Sequence, residues 1–120
     1  MATDIKRQQS NERLSQIVEY GNLVFLAGIV ADHRSASDSC KAQTEEVLKK
    51  IDALLAAAGS NKSRILSANV WISEMREKEQ MDAAWKAWVD PNNKPARACQ
   101  AVVLATPDTR VEIMMIAAKA

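Results

Sequence analysis

The sequence predicts an α+β domain: a mixed β-sheet carrying two amphipathic helices on one of its faces. Three observations predict it. Two segments repeat apolar residues at helical spacing, several apolar runs of strand length are bounded by turn residues, and two helices are too few to cover both faces of the sheet. The element order read from the chain is β-β-α-β-α-β-β, in one domain spanning residues 1–120.

Residues 13–19 and 22–27 read as two strands around the turn Tyr20-Gly21-Asn22, an early hairpin. The polar stretch ADHRSASDS then leads into the clearest helix. Val47, Leu48, Ile51, Leu54, Leu55 and Ala58 recur at steps of three and four and form one apolar stripe. Ser35 with Asp38, or Ser37 alone, is the expected cap at its start, and Gly59 is placed to end it. Glu45 with Lys49 and Glu46 with Lys50 stand four apart in the favourable order and mark the solvated face. A strand follows at 65–73, then a second helix at about 77–89 that buries Met81, Ala84, Trp85 and Trp88. Asp90-Pro91-Asn92-Asn93-Lys94-Pro95 breaks that helix. Two last strands, near 97–104 and 110–118, flank the turn Thr106-Pro107-Asp108. The sheet face opposite the helices stays apolar and uncovered, which predicts self-association.

Composition narrows the function classes. Hydrophobic residues make up 48% and charged residues 26%, ordinary for a globular protein. No apolar run approaches the roughly 20 residues that cross a bilayer. The N-terminus MATDIKRQQSNERL has no apolar core of a secretory signal, so the expected compartment is the cytoplasm and no membrane partner is expected. Sixteen basic residues against fifteen acidic ones are scattered along the chain, so no basic stripe speaks for nucleic acid. Cys40 and Cys99 belong to no CxxC pattern and His33 is the only histidine, so no metal site is expected. Asp32 and Arg34 around His33 mark a solvated loop.

The end of the chain carries the most specific pattern: Pro95-Ala96-Arg97-Ala98-Cys99, then Val111-Glu112-Ile113, with Glu112 fifteen residues after Arg97. With the GNLVFLAG strand, the AAAGSNKSRIL turn and the closing VEIMMIAA, this resembles the RidA/YjgF family along almost the whole chain. The resemblance implies a chorismate-mutase-like fold and a homotrimer with sites in the clefts between subunits. It also implies hydrolysis of 2-imino acids or related enamines to a 2-oxo acid and ammonia. No redox step occurs, so no cofactor is required.

The resemblance gives roles to named residues. Arg97 holds the substrate carboxylate, for which a planar guanidinium offers paired donors that lysine lacks. Glu112 holds and activates the attacking water. It shares a strand face with Met114 and Ile116, apolar surroundings that suit a carboxylate exchanging protons. Cys99, two residues after Arg97 and on the same strand face, lines the pocket; no neighbouring base marks it as a nucleophile. Position alone also allows Arg97 as an interface arginine paired with an acid, Glu112 as a solvent-facing strand glutamate, and Cys99 as a small buried apolar residue. Trp71, Trp85 and Trp88 read as core, with one at most reaching a pocket.

Three positions depart from the best-characterised deaminases of that family. Leu14 stands where they carry a tyrosine near the start of the first hairpin strand, Ala27 where they carry a serine, and Asp82 where they carry an asparagine. An acidic Asp82 near the site is expected to favour cationic or amine-bearing substrates and to weaken turnover of 2-iminobutanoate. Two other readings compete: a module that captures small carboxylates in the same cleft without turnover, and an endoribonuclease or translation inhibitor, as some family members are described.

Overall fold

The computed structural model describes residues 4–35 and 37–120. Met1–Thr3, at the head of the polar N-terminus, and Ala36, inside the polar stretch before the first helix, lie outside the described residues. The strands are β1 (Ile5–Ser10), β2 (Ser15–Tyr20), β3 (Leu23–Leu26), β4 (Ile29–Val30), β5 (Ile65–Ile72), β6 (Ala96–Ala101) and β7 (Val111–Ala118). The helices are α1 (Cys40–Ala57) and α2 (Lys78–Trp88). They build one mixed sheet in the order β1-β2-β3-β7-β5-β6, with β4 also paired to β7. Among the described strands only β5 and β6 run parallel, and α2 forms the crossover between them.

Two strands escaped the sequence reading. β1 is polar apart from the exposed Ile5 and pairs with β2 alone, so no buried face imposes an apolar alternation on it. β4 is two residues long and continues the line of β3 along β7 after a break at Ala27 and Gly28. The strand expected over 97–104 stops at Ala101. β5 ends at Ile72, whose carbonyl accepts from the Val102 N–H (3.0 Å); beyond it no neighbour remains to pair with, and Val103 is fully exposed. The hairpin turn is as expected: Gly21 has φ +58°, the positive value required at the first central position of a type II′ turn.

All six residues of the predicted stripe are buried, five within α1 and Ala58 at its C-cap. Its cap is Ser39, whose side chain accepts from the Ala42 N–H (3.0 Å), and not Ser35 or Ser37. The Asp38 carboxylate instead accepts from the Ser35 N–H (2.8 Å), and the Ser35 and Ser37 hydroxyls bond each other, so these groups fold the preceding loop. Gly59 ends the helix at φ +74°. Its N–H bonds the Ala56 carbonyl and the next N–H, of Ser60, bonds Leu55, the paired closure of a Schellman motif.

Both helices pack on one face. Ile17, Val24, Leu26, Val70, Ile72, Val111, Ile113 and Met115 of the sheet share a core with Val47, Ile51, Leu55, Met81 and Trp85. At about 25 cal/mol per Å² of apolar surface, each large side chain there contributes about 1.5–3 kcal/mol. Among the described residues no element covers the other face. It presents Leu66 and Met114 exposed, with Phe25, Trp71 and Ile116 half-buried. No helix is long and apolar enough to cross a membrane among the described residues.

Candidate functional site

Arg97 and Cys99 lie on β6 and register with Ala68 and Val70 of β5, both buried beneath the helices. Their side chains therefore stand on the helix side, at the open edge of the sheet beside α2. The Arg97 guanidinium is held from three directions. Nη2 pairs with Asp82 Oδ1 (2.9 Å), Nη1 donates to Met81 Sδ (3.6 Å), and the group lies 5.1 Å from the centre of the Trp85 ring. Asp82 is shared, since its Oδ2 accepts from Lys78 Nζ (2.7 Å). Burial pushes the Asp82 carboxyl up, but the hydrogen bonds and charges of Lys78 and Arg97 outweigh it and hold the group below the usual aspartate value. Burial also pushes the Cys99 thiol up, against the lowering charges of Arg97 and Lys78. The thiol stays protonated at neutral pH, which suits a lining residue rather than a nucleophile.

Glu112 lies on β7 and registers with Trp71 of β5 and Val30 of β4. Its neighbours Val111 and Ile113 are buried under the helices, so it points to the uncovered face, where Met114 follows on the same side. Its carboxylate rests on Gly28. A Cβ built on that glycine would stand 2.1 Å from Glu112 Oε2, so nothing larger than glycine fits beneath the carboxylate as it lies. Glu112 enters no ion pair among the described residues. Ala27 is half-buried beside Gly28, and its N–H donates to the Gln16 carbonyl at the start of β2 (3.0 Å). Leu14 is exposed and closes the turn immediately before β2, through its N–H to Asn11 Oδ1 (3.0 Å).

The structure thus sorts the sequence-derived residues into two groups. Arg97, Cys99 and Asp82 stand together on the helix side of β6. Glu112 and Ala27 stand on the uncovered face, with Leu14 near the same end of the sheet. Within one chain Arg97 and Glu112 occupy opposite faces of the sheet. The reading of Arg97 as an arginine paired with an acid describes the single chain, and that acid is Asp82.

Sequence reasoning missed Gly28 and Lys78 as site neighbours; it allowed one tryptophan at most to reach a pocket, and Trp85 is the one against Arg97. For Gly28 a signal existed: a glycine inside an otherwise apolar strand marks close approach by another group. Trp71, read as core, is half-buried on the uncovered face across from Glu112, and Trp88 is half-buried with its indole N–H donating to Asp52 (2.9 Å). His33 is an exposed loop residue bonded to Glu46 (3.1 Å). No group of three or more histidine, cysteine, aspartate or glutamate side chains is placed to share a metal ion among the described residues.

The family model described as Endoribonuclease L-PSP matches residues 5–119. A RutC family protein of Haemophilus influenzae is 41% identical over 113 residues, which cover 94% of this chain and 97% of the relative. The crystal structure of a YjgF-family protein from Neisseria meningitidis superposes with a TM-score of 0.95 at 36% identity, covering 100% of this chain and 98% of that one. Reactive Intermediate Deaminase A of Arabidopsis thaliana is 27% identical over 107 residues, 86% of this chain and 57% of the relative. Seven strands in one mixed sheet with both helices on one side, matched at this level, define an α+β protein of the chorismate-mutase-like class. Within that class, the chain belongs to the RidA/YjgF family, also called the RutC family.

Proposed function

We propose that this protein is a cofactor-free hydrolytic deaminase of 2-imino acids or related enamines, working in sites built from two copies of the chain in a homotrimer. One copy supplies Glu112 on Gly28 from its uncovered sheet face, and its neighbour supplies Arg97 and Cys99 from its β6 edge. The observation that carries the reading is the split itself. A carboxylate that enters no ion pair among the described residues and a stacked guanidinium stand on opposite faces of one sheet, one of those faces apolar and uncovered by any described element. The name of the Arabidopsis relative supports the chemistry.

In this reading Arg97 binds the substrate carboxylate and places the imine carbon within reach of Glu112. Glu112 holds a water molecule, takes one of its protons as the oxygen attacks that carbon, and delivers that proton to the imine nitrogen, giving a tetrahedral aminoalcohol. The hydroxyl proton then passes through Glu112 to the amine, the C–N bond breaks as the carbonyl forms, and a 2-oxo acid and ammonia leave. Water is added and ammonia lost, with no change of oxidation state. Cys99 lines the pocket as a neutral thiol.

The test mixes two variants. Imines are generated in situ with an amino-acid oxidase, and the loss of semicarbazide trapping reports hydrolysis. Arg97→Ala and Glu112→Gln are each expected to be inactive. Assembled together from equal amounts, they restore about a quarter of the wild-type activity, because a shared site is intact when each side comes from the proper variant. No recovery on mixing removes the shared site, and equal trapping with and without the wild type across many amino acids removes the deaminase.

The Asp82–Arg97 pair favours a second reading, in which the cleft captures a small carboxylate without turnover. Calorimetry with 2-oxo acids separates the two: binding that requires Arg97, without imine hydrolysis, selects capture. The Endoribonuclease L-PSP description of the matching family raises a ribonuclease reading as well. RNA cleavage that survives Arg97→Ala and Glu112→Ala would support it over either.

A further inference from the structure

The Arg97 side of the site is a cluster of three charges rather than a lone guanidinium. Asp82 bridges two cations, accepting from Arg97 Nη2 through one oxygen (2.9 Å) and from Lys78 Nζ through the other (2.7 Å). Arg97 and Asp82 are largely buried, at 22% and 18% side-chain exposure, so their charges are screened less than those of surface groups. Two positive charges against one negative leave the cluster at +1.

Lys78 gains little from its place in the helix. It is the first residue of α2, where the helix dipole disfavours a cation, and a lysine four residues before an acid is the weaker order for such a pair. Its evident electrostatic effect is on the cluster. Without Lys78, Arg97 and Asp82 would form a neutral pair with weak attraction for an anion. Without Asp82, two unopposed cations would face the substrate.

We propose that Asp82 and Lys78 determine the charge specificity of this site, setting it to accept one monoanionic carboxylate and to disfavour substrates with a second carboxylate. The inference rests on Arg97 as the carboxylate-binding group. It replaces the preference for cationic substrates expected from Asp82 alone, because both Asp82 oxygens are already engaged by cations. When a carboxylate docks on Arg97, Asp82 keeps its bond to Lys78 and is not stranded as an unpaired anion. Asp82 and Lys78 act through Arg97 and are positioning residues.

The experiment measures the dissociation constants of 2-oxopentanoate and 2-oxoglutarate by calorimetry at low salt. The two probes share chain length and differ by a terminal carboxylate, so their ratio reports charge selection and not overall fit. The wild type is expected to prefer 2-oxopentanoate. Asp82→Asn, which keeps an oxygen for Arg97, shifts the ratio toward 2-oxoglutarate by about tenfold, and Lys78→Met shifts it the other way by a similar factor. The double variant, again at +1, returns to the wild-type ratio, and high salt compresses all the differences. Unchanged ratios in both single variants, with binding still abolished by Arg97→Ala, overturn the charge-setting role and leave the site standing. Binding indifferent to Arg97→Ala, or no binding of either acid by the wild type, overturns the underlying reading together with it.

Discussion

Replacing Gly28 with alanine tests the placement of Glu112 without touching the carboxylate chemically. The added methyl would stand 2.1 Å from Oε2, 3.1 Å from Cδ and 3.4 Å from Cγ of Glu112. Ordinary contact requires the carboxylate to retreat by about 1 Å or more, because β7 beneath Glu112 and the strands on either side of Gly28, β3 and β4, are held by sheet pairing. The obstructing atom is the end of a flexible, half-buried side chain, so the fold absorbs the change. An off-rotamer Glu112 costs about 0.5–1.5 kcal/mol. Gly28 does not lie at positive φ, so alanine recovers about 0.4–1 kcal/mol through the unfolded chain. The net effect on stability falls within about 1 kcal/mol. Catalysis has no such compensation, since a displacement of about 1 Å in a reacting group costs about a hundredfold. The expected result is near-wild-type denaturation in urea, 2-oxo acid binding at Arg97 largely kept, and kcat for imine hydrolysis reduced about a hundredfold. A Gly28→Ala protein with wild-type kcat would show that Glu112 does not work from its seat on Gly28.

Two further outcomes follow from the core and the buried charges. Glu19 is 4% exposed and accepts from Lys119 (2.6 Å) and Gln8 (2.6 Å). The Lys119 bond, ahead of opposing burial and the Gln8 bond, holds its carboxyl below the ordinary 4.5. Its stabilisation is therefore complete above that value and lost as pH falls through the depressed one. Glu19→Gln is expected to cost about 1–3 kcal/mol at pH 7, with the gap closing in acid; a gap independent of pH in denaturation at matched protein concentration refutes the linkage. On β7, Ile113 is fully buried while its neighbour Met114 is 41% exposed on the uncovered face. Ile113→Ala should destabilise the fold by about 2–5 kcal/mol, whereas Met114→Glu should leave folding nearly intact and weaken the proposed self-association in sedimentation. Equal effects of the two on folding would contradict the assigned faces.

The parts of the fold legible in the sequence are those where one residue's neighbours in the chain decide its environment. The α1 stripe follows from the 3.6-residue period, and the Gly59 stop follows from the positive φ of the closing motif. The sequence places the cap at Ser35 with Asp38 or at Ser37, whereas Ser39 holds it, because its backbone is extended at φ −75° and its hydroxyl reaches the Ala42 N–H, a placement that composition does not reveal. β1 was invisible because its pairing depends on β2 and not on its own composition. The contacts that shape the site join distant segments: Gly28 with Glu112, and Asp82 with Arg97. No local period encodes either.

The two faces of the candidate site show where legibility ends. β7 alternates Val111, Ile113, Met115 and Ala117 toward the helices, so Glu112 is fixed outward by its own strand. A slip of one residue would place its carboxylate in the core at a cost of several kcal/mol, and pairing of Trp71 with Glu112 locks the register. β6 offers no such decision. Alanines occupy three of its six positions and suit either face, so the direction of Arg97 cannot be read from ARACQA. It is set from outside the strand, by registry of Arg97 with buried Ala68 and by the Asp82 carboxylate and Trp85 ring that α2 presents above it. The fifteen-residue spacing of Arg97 and Glu112 therefore identifies the pair without disclosing that the sheet separates them. In the proposed function, a site using both groups is closed by a second copy of the chain.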